Sequence, residues 1–197
     1  MDYTKYFGLA EWLLIFYHDI STDKYFTHNT IFLVNTTYTY SILGSIHENY
    51  KINGFYEYLL EYPDEPNYNR WKQRVNIKDT TNTQTSKDIG YKPIHIDFAP
   101  QDGEFGGIAR SDKPAEAIFD GTPGVAGHWF TIGALEHYIS HYQMAGFYNG
   151  VDYKVGVRKV KLWIRIPKEC QTFEYNFCIY GSNLVYFFLS IPLLNDS

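Results

Sequence analysis

The sequence predicts a mostly β protein, an antiparallel β-sandwich with a short N-terminal helix, on three observations. Aromatic residues make up 19% of the chain, with 19 Tyr and 14 Phe, and flat or β-branched side chains pack well on a pleated surface. Apolar and polar residues alternate over several short runs, most cleanly in Val157 to Ile166, and a period of two is the mark of a half-buried strand. Gly- and Pro-bearing turns punctuate these runs, a pattern that suits many short antiparallel strands in packed layers.

The elements follow in order along the chain. Leu9, Trp12, Leu13 and Phe16 recur at helical spacing, which predicts one amphipathic helix over residues 7 to 18. Ile31 to Val34 and Tyr38 to Leu43 read as two strands around Asn35-Thr36-Thr37. Phe55 to Tyr62 is a clearer strand, with Tyr56, Tyr58, Leu60 and Tyr62 on one face and Phe55, Glu57, Leu59 and Glu61 on the other. Pro63 and Pro66 end it. The stretch from Asn76 to Lys87 is rich in Thr and Asn and reads as a long exposed loop.

Pro93 to Phe98 alternates again, with Ile94, Ile96 and Phe98 inward. Phe105 to Ala109, Ala117 to Phe119 and Trp129 to Ile132 are short strand candidates, and Asp120-Gly121-Thr122-Pro123-Gly124 is a turn. In Val157 to Ile166, Val160, Leu162, Ile164 and Ile166 form an apolar face opposite Lys159, Lys161, Trp163 and Arg165. Trp163 is then either an exposed contact or packed under the N-terminal helix. Phe173 to Tyr180 and Leu184 to Ile191 form a hairpin through Gly181-Ser182-Asn183.

A chain of 197 residues suits a single domain spanning 1–197, with its best-supported core at 54–166 and flanks at 1–53 and 167–197. The net charge of −5 argues against a nucleic-acid partner, which requires a basic surface. The apolar run Leu13 to Tyr17 has no basic leader or small-residue cleavage site, so no signal peptide is read. Leu184 to Leu194 is too short to span a bilayer and contains Pro192. Cys170 and Cys178 fit no zinc spacing. They are free thiols, which favours the cytoplasm, or they form one short cross-strand bridge.

The most distinctive segment runs from Trp71 to Trp129. It holds Trp71-Lys72-Gln73, Gly90-Tyr91, Ile94-His95-Ile96-Asp97, Gly106-Gly107-Ile108-Ala109 and Asp120-Gly121-Thr122-Pro123-Gly124, and is followed by Val160-Lys161-Leu162-Trp163-Ile164-Arg165. This order of short Gly-rich pieces, over about residues 54 to 166, resembles uncharacterised modules of protist proteins. More loosely, it is similar to galactose-binding-like and lectin-like β-sandwiches. The resemblance implies a jelly-roll or galactose-binding-like sandwich and a binding role, without specifying a ligand.

The residues themselves suggest a ligand face at one end of the sandwich. Trp71 and Trp129 lie beside turns, where an indole is a platform for a sugar ring; the competing reading is core packing under loops. Gly106 and Gly107 would let a ligand approach the backbone. Asp102, Glu104 and Asp120 would accept hydrogen bonds from hydroxyls or, together with Asp97, hold a Ca²⁺ ion. Solvated turn acids are the plainer account, so no cofactor is assigned. His137 and His141, four apart with His128 nearby, lack the His-Glu-x-x-His order of a zinc enzyme.

There is no Gly-x-Ser-x-Gly elbow and no phosphate loop. Glu57 and Glu61, on one strand face, are separated by about 14 Å at the usual rise, too far for a glycosidase pair. A non-catalytic module binding carbohydrate or a protein partner therefore ranks above a scaffolding domain. Both rank above a hydrolase using Asp97, Glu104 or Asp120.

Overall fold

Where the sequence predicts a helix, the chain turns back on itself as a β-hairpin. The structure, a computed structural model, describes residues 2–22, 25–64, 66–97, 105–111, 118–124, 131–133, 158–168, 177–180 and 183–186. Strand β1 (Thr4–Phe7) pairs antiparallel with β2 (Ala10–Asp19). Gly8 and Leu9 make the turn, with Gly8 at φ +62; a positive φ at the first turn residue is what tight hairpins require. Leu9 sits at the tip, 97% exposed, whereas a helix would have buried it. No helix of seven residues or more occurs among the described residues.

The strands that follow are β3 (Val34–Asn35), β4 (Thr39–Ser41), β5 (Tyr56–Glu61), β6 (Tyr68–Gln73) and β7 (Lys92–Ile96). Short pieces β8 (Ala109–Arg110), β9 (Phe119–Asp120) and β10 (Thr131–Ile132) precede β11 (Lys159–Arg165). Last come β12 (Phe177–Tyr180) and β13 (Asn183–Tyr186), which pair antiparallel where a hairpin is expected, with Asn183 in β13 opposite Tyr180 rather than in the turn.

One large antiparallel sheet has the order β3-β4-β2-β11-β5-β6-β7, with β1 added beside β2. β8, β9 and β10 form a separate small sheet. The protein is thus mostly antiparallel β around a large open sheet. The strand predicted from the alternation of Val157 to Ile166 lies in the middle, between β2 and β5.

Register assigns every side chain of the sheet to one of two faces. On the core face, Leu162 lies opposite Phe16 and Leu60, and Ile164 opposite Tyr58, which in turn lies opposite Trp71. Val160, Leu162, Ile164, Tyr56, Tyr58, Leu60 and Trp71 are all buried. The small sheet meets this face. Phe119 packs edge-on against Phe16 with centroids 5.5 Å apart, and Phe105 packs edge-on against Trp71 at 4.9 Å. One contiguous core runs from Ala10 to Ile164, so the N-terminal flank contributes to it.

β6 was not predicted, because its buried face is Asn69, Trp71 and Gln73, two of them polar. The inward reading of Ile94 is also corrected. Among the described residues β7 pairs only with β6, a bulge leaves Ile94 without an opposite residue, and Ile94 is 42% exposed. Such bulges are common at sheet edges.

The segment 76–87 is not the dispensable loop its composition suggests. Asn76 accepts from Lys78 N and donates through Nδ2 to Ile46 O at 2.9 Å, and Ile77 is fully buried. Thr80 donates to Ile77 O and accepts from Arg110 N at 3.0 Å. Replacing 76–87 with a Gly-Ser linker is therefore expected to lower the denaturation midpoint. The Ile77→Ala truncation alone should cost about 2–5 kcal/mol in urea unfolding.

Candidate functional site

The residues singled out for a ligand face do come together where they are described, but as packed interior. Trp71 is 0% exposed. Its Nε1 donates to Gln73 Oε1 at 2.9 Å, and the same oxygen accepts from Ile108 N at 3.1 Å. Gly106 N donates to Gly121 O at 2.9 Å, which ties the glycine pair to the 120–124 turn. A Cβ on Gly106 would lie 2.0 Å from Ser86 Oγ, and one on Gly107 would lie 2.9 Å from Ile89 Cδ1. These glycines are small because protein, not ligand, approaches them. Asp120 is buried, and its Oδ1 accepts from Thr122 N and Oγ1, both at 2.9 Å.

Trp71, Gly106, Gly107 and Asp120 are thus a junction holding the small sheet to the large one, not an open platform. Asp97 accepts from Tyr68 N and pairs with His95 at 2.9 Å. No group of three or more His, Cys, Asp or Glu is placed to hold a metal among the described residues. Trp129, Asp102, Glu104, His128, His137, His141 and Cys170 lie outside them.

The opposite face of the large sheet carries the chemistry. At its centre is Glu57, whose side chain is 0% exposed. Glu57 Oε1 accepts from Arg70 Nε at 2.8 Å and also from Nη2; Oε2 accepts from Arg165 Nη1 at 3.0 Å. Lys72 Nζ stands 3.8 Å from the same Oε2. Alternation puts Arg70 and Lys72 on one side of β6 and Arg165 on the matching side of β11, so two strands deliver cations to one carboxylate on β5 between them. A buried charge persists only when paired and hydrogen-bonded in this way.

Aromatic rings lie beneath the cations. Arg70 Cζ is 5.5 Å from the Trp12 ring centroid. Arg74 and Lys92 flank Phe55 at 5.1 Å and 4.5 Å. These are cation–π distances. Trp12 is fully buried, and its indole N–H has no acceptor among the described residues.

A second pair closes the other end of the face. Glu61 accepts from Trp163 Nε1 at 2.7 Å and from Lys5 Nζ, which lies 4.5 Å from the Trp163 ring. Trp163 is thus packed, as one of its two readings held, but under a hairpin. Burial lowers the Lys5 pKa and the Lys161 charge adds to this, while Glu61 opposes it.

The balance on β6, β7 and the facing end of β11 is one-sided. Arg70, Lys72 and Arg165 supply three positive charges against the single negative charge of Glu57, and Arg74 and Lys92 stand beside them on Phe55, in a chain whose total is −5. Sequence reading missed this face because its members come from three separate segments, and only the register adds them together. Comparison with family models, curated proteins and solved structures finds no match for this chain.

Proposed function

We propose that this protein is a non-catalytic recognition module for a carbohydrate or protein partner, and that it binds through the cationic face of the large sheet. The single observation behind this reading is the gathering of Arg70, Lys72 and Arg165 around the one carboxylate of Glu57, with Arg74 and Lys92 on Phe55 beside them, in an acidic chain. Like charges crowded on a rigid sheet repel, and a partner of opposite sign relieves that repulsion while steering association. The contact of Phe119 with Phe16 supports reading the small sheet as the second layer of a sandwich, which leaves the cationic face outward.

A hydrolase is the weaker reading. Glu57 and Glu61 are held by cations and an indole N–H, and Asp120 is held by Thr122, so each carboxylate serves its own neighbours. A nucleic-acid partner is also disfavoured, because Trp12 and Trp163 lie buried, 0% and 2% exposed, and offer bases no stacking surface.

The test is a combined glycan and peptide array probed with the wild type and with the Arg74→Glu/Lys92→Glu double variant. Both side chains are exposed, so the fold should tolerate reversal. Hits that vanish in the double variant at an unchanged melting temperature support the reading. Hits that persist place binding elsewhere, and no hits at all favour a scaffolding domain.

A further inference from the structure

We infer that the partner of the cationic face is an extended acidic polypeptide segment, laid along β6 with its carboxylates on one side; this rests on the recognition reading above. Arg70 and Lys72 sit two positions apart on β6, so their Cα atoms step by about 6.7 Å along the strand, and Arg74 follows just past its end. An extended peptide with an acid at every second residue repeats its carboxylates at the same step. Lys92 on β7 lies opposite Lys72, one strand away at about 4.8 Å, which widens the row into a track.

The chemistry of the cations points the same way. Arg70 already presents Nε and Nη2 to one carboxylate, that of Glu57. Arg165 gives Glu57 one nitrogen, Nη1. A guanidinium has five N–H donors, so each arginine keeps donors beyond those Glu57 takes, and both remain about a quarter exposed. Arg74 and Lys92 both lie over the Phe55 ring. Cations ordered in advance lose less entropy on binding.

Other polyanions suit the face less well. Trp12 and Trp163, the indoles on this face among the described residues, are buried and offer no stacking surface to a base or a sugar ring. Backbone addition at the β7 edge is hindered by Pro93, which has no N–H to give. Recognition by side-chain charge on the sheet face is what remains.

The experiment uses the full chain and a fluorescein-labelled peptide of about a dozen residues alternating Glu and Ser, followed by fluorescence anisotropy. A peptide of equal composition with its Glu residues in one block serves as the register control. The expected result is saturable binding that weakens about tenfold from low to physiological salt. It should favour the alternating peptide over the block peptide and weaken about tenfold or more in Arg74→Glu/Lys92→Glu. Equal binding of the two peptides, or binding unchanged in the double variant, overturns the inference. So does tighter binding of a sulfated polysaccharide or of oligothymidylate. If the sulfated polysaccharide binds and the double variant abolishes it, the recognition face stands and the acidic-peptide identity falls. If none of the probes binds, both fall.

Discussion

Leu162→Ala is expected to lower stability by about 2–5 kcal/mol, the range for truncating a fully buried leucine. Leu162 is 0% exposed at the middle of β11. It lies opposite Phe16 on one side and Leu60 on the other, so the neighbouring strands are fixed by their own ladders and cannot collapse into the space. Both a transfer term and a cavity term then apply. Urea denaturation followed by tryptophan fluorescence reads the change as a lower midpoint at an unchanged slope. A loss below about 0.5 kcal/mol would mean that β11 is not core and that the sheet order is wrong. Lys161, one residue away on the other face, is the control, and its alanine variant should stay within about 0.5 kcal/mol of the wild type.

Glu57→Ala is expected to cost about 3 kcal/mol, the low end of the range for breaking a buried ion pair. The carboxylate is fully buried, while Arg70 and Arg165 reach water with about a quarter of their surface. Part of their desolvation is therefore relieved once the partner is gone, which is why the lower figure applies. The remainder is the repulsion of Arg70, Arg165 and Lys72 left without the charge between them. This loss should grow as salt is lowered, since screening weakens that repulsion. A cost below about 1 kcal/mol, independent of salt, would show that Glu57 does not hold the cations together.

What could be read from the sequence was the half-buried strands. In β5 and β11 the apolar residues alternate because one face meets the core, and the alternation of Val160, Leu162 and Ile164 located the centre of the sheet. β2 misled for the opposite reason. Trp12, Leu14, Ile15, Phe16 and Tyr17 are buried on both faces, and a strand covered on both sides has no period of two. Ile15 also has no partner on β11, and the resulting bulge puts Trp12 and Phe16 on opposite faces although they sit four apart.

β6 and the 76–87 segment were hidden by polar residues that the fold buries with partners. Gln73 joins Trp71 to Ile108, and Asn76 joins its own turn to Ile46. Composition cannot tell a buried, satisfied Asn or Gln from a solvated one. The candidate site was unreadable for a related reason. Arg70, Lys72 and Arg165 each look like an ordinary wet strand position, and only the ladder shows that they surround a single carboxylate.

Recognition on the cationic face is tested by a backbone amide NMR titration of the full chain with the alternating Glu-Ser peptide. Saturating shifts confined to β5, β6, β7 and β11, with Arg70, Lys72 and Arg165 among the largest, are the predicted result. Shifts confined to the 106–109 and 120–124 turns, with β6 and β7 unmoved, would contradict it.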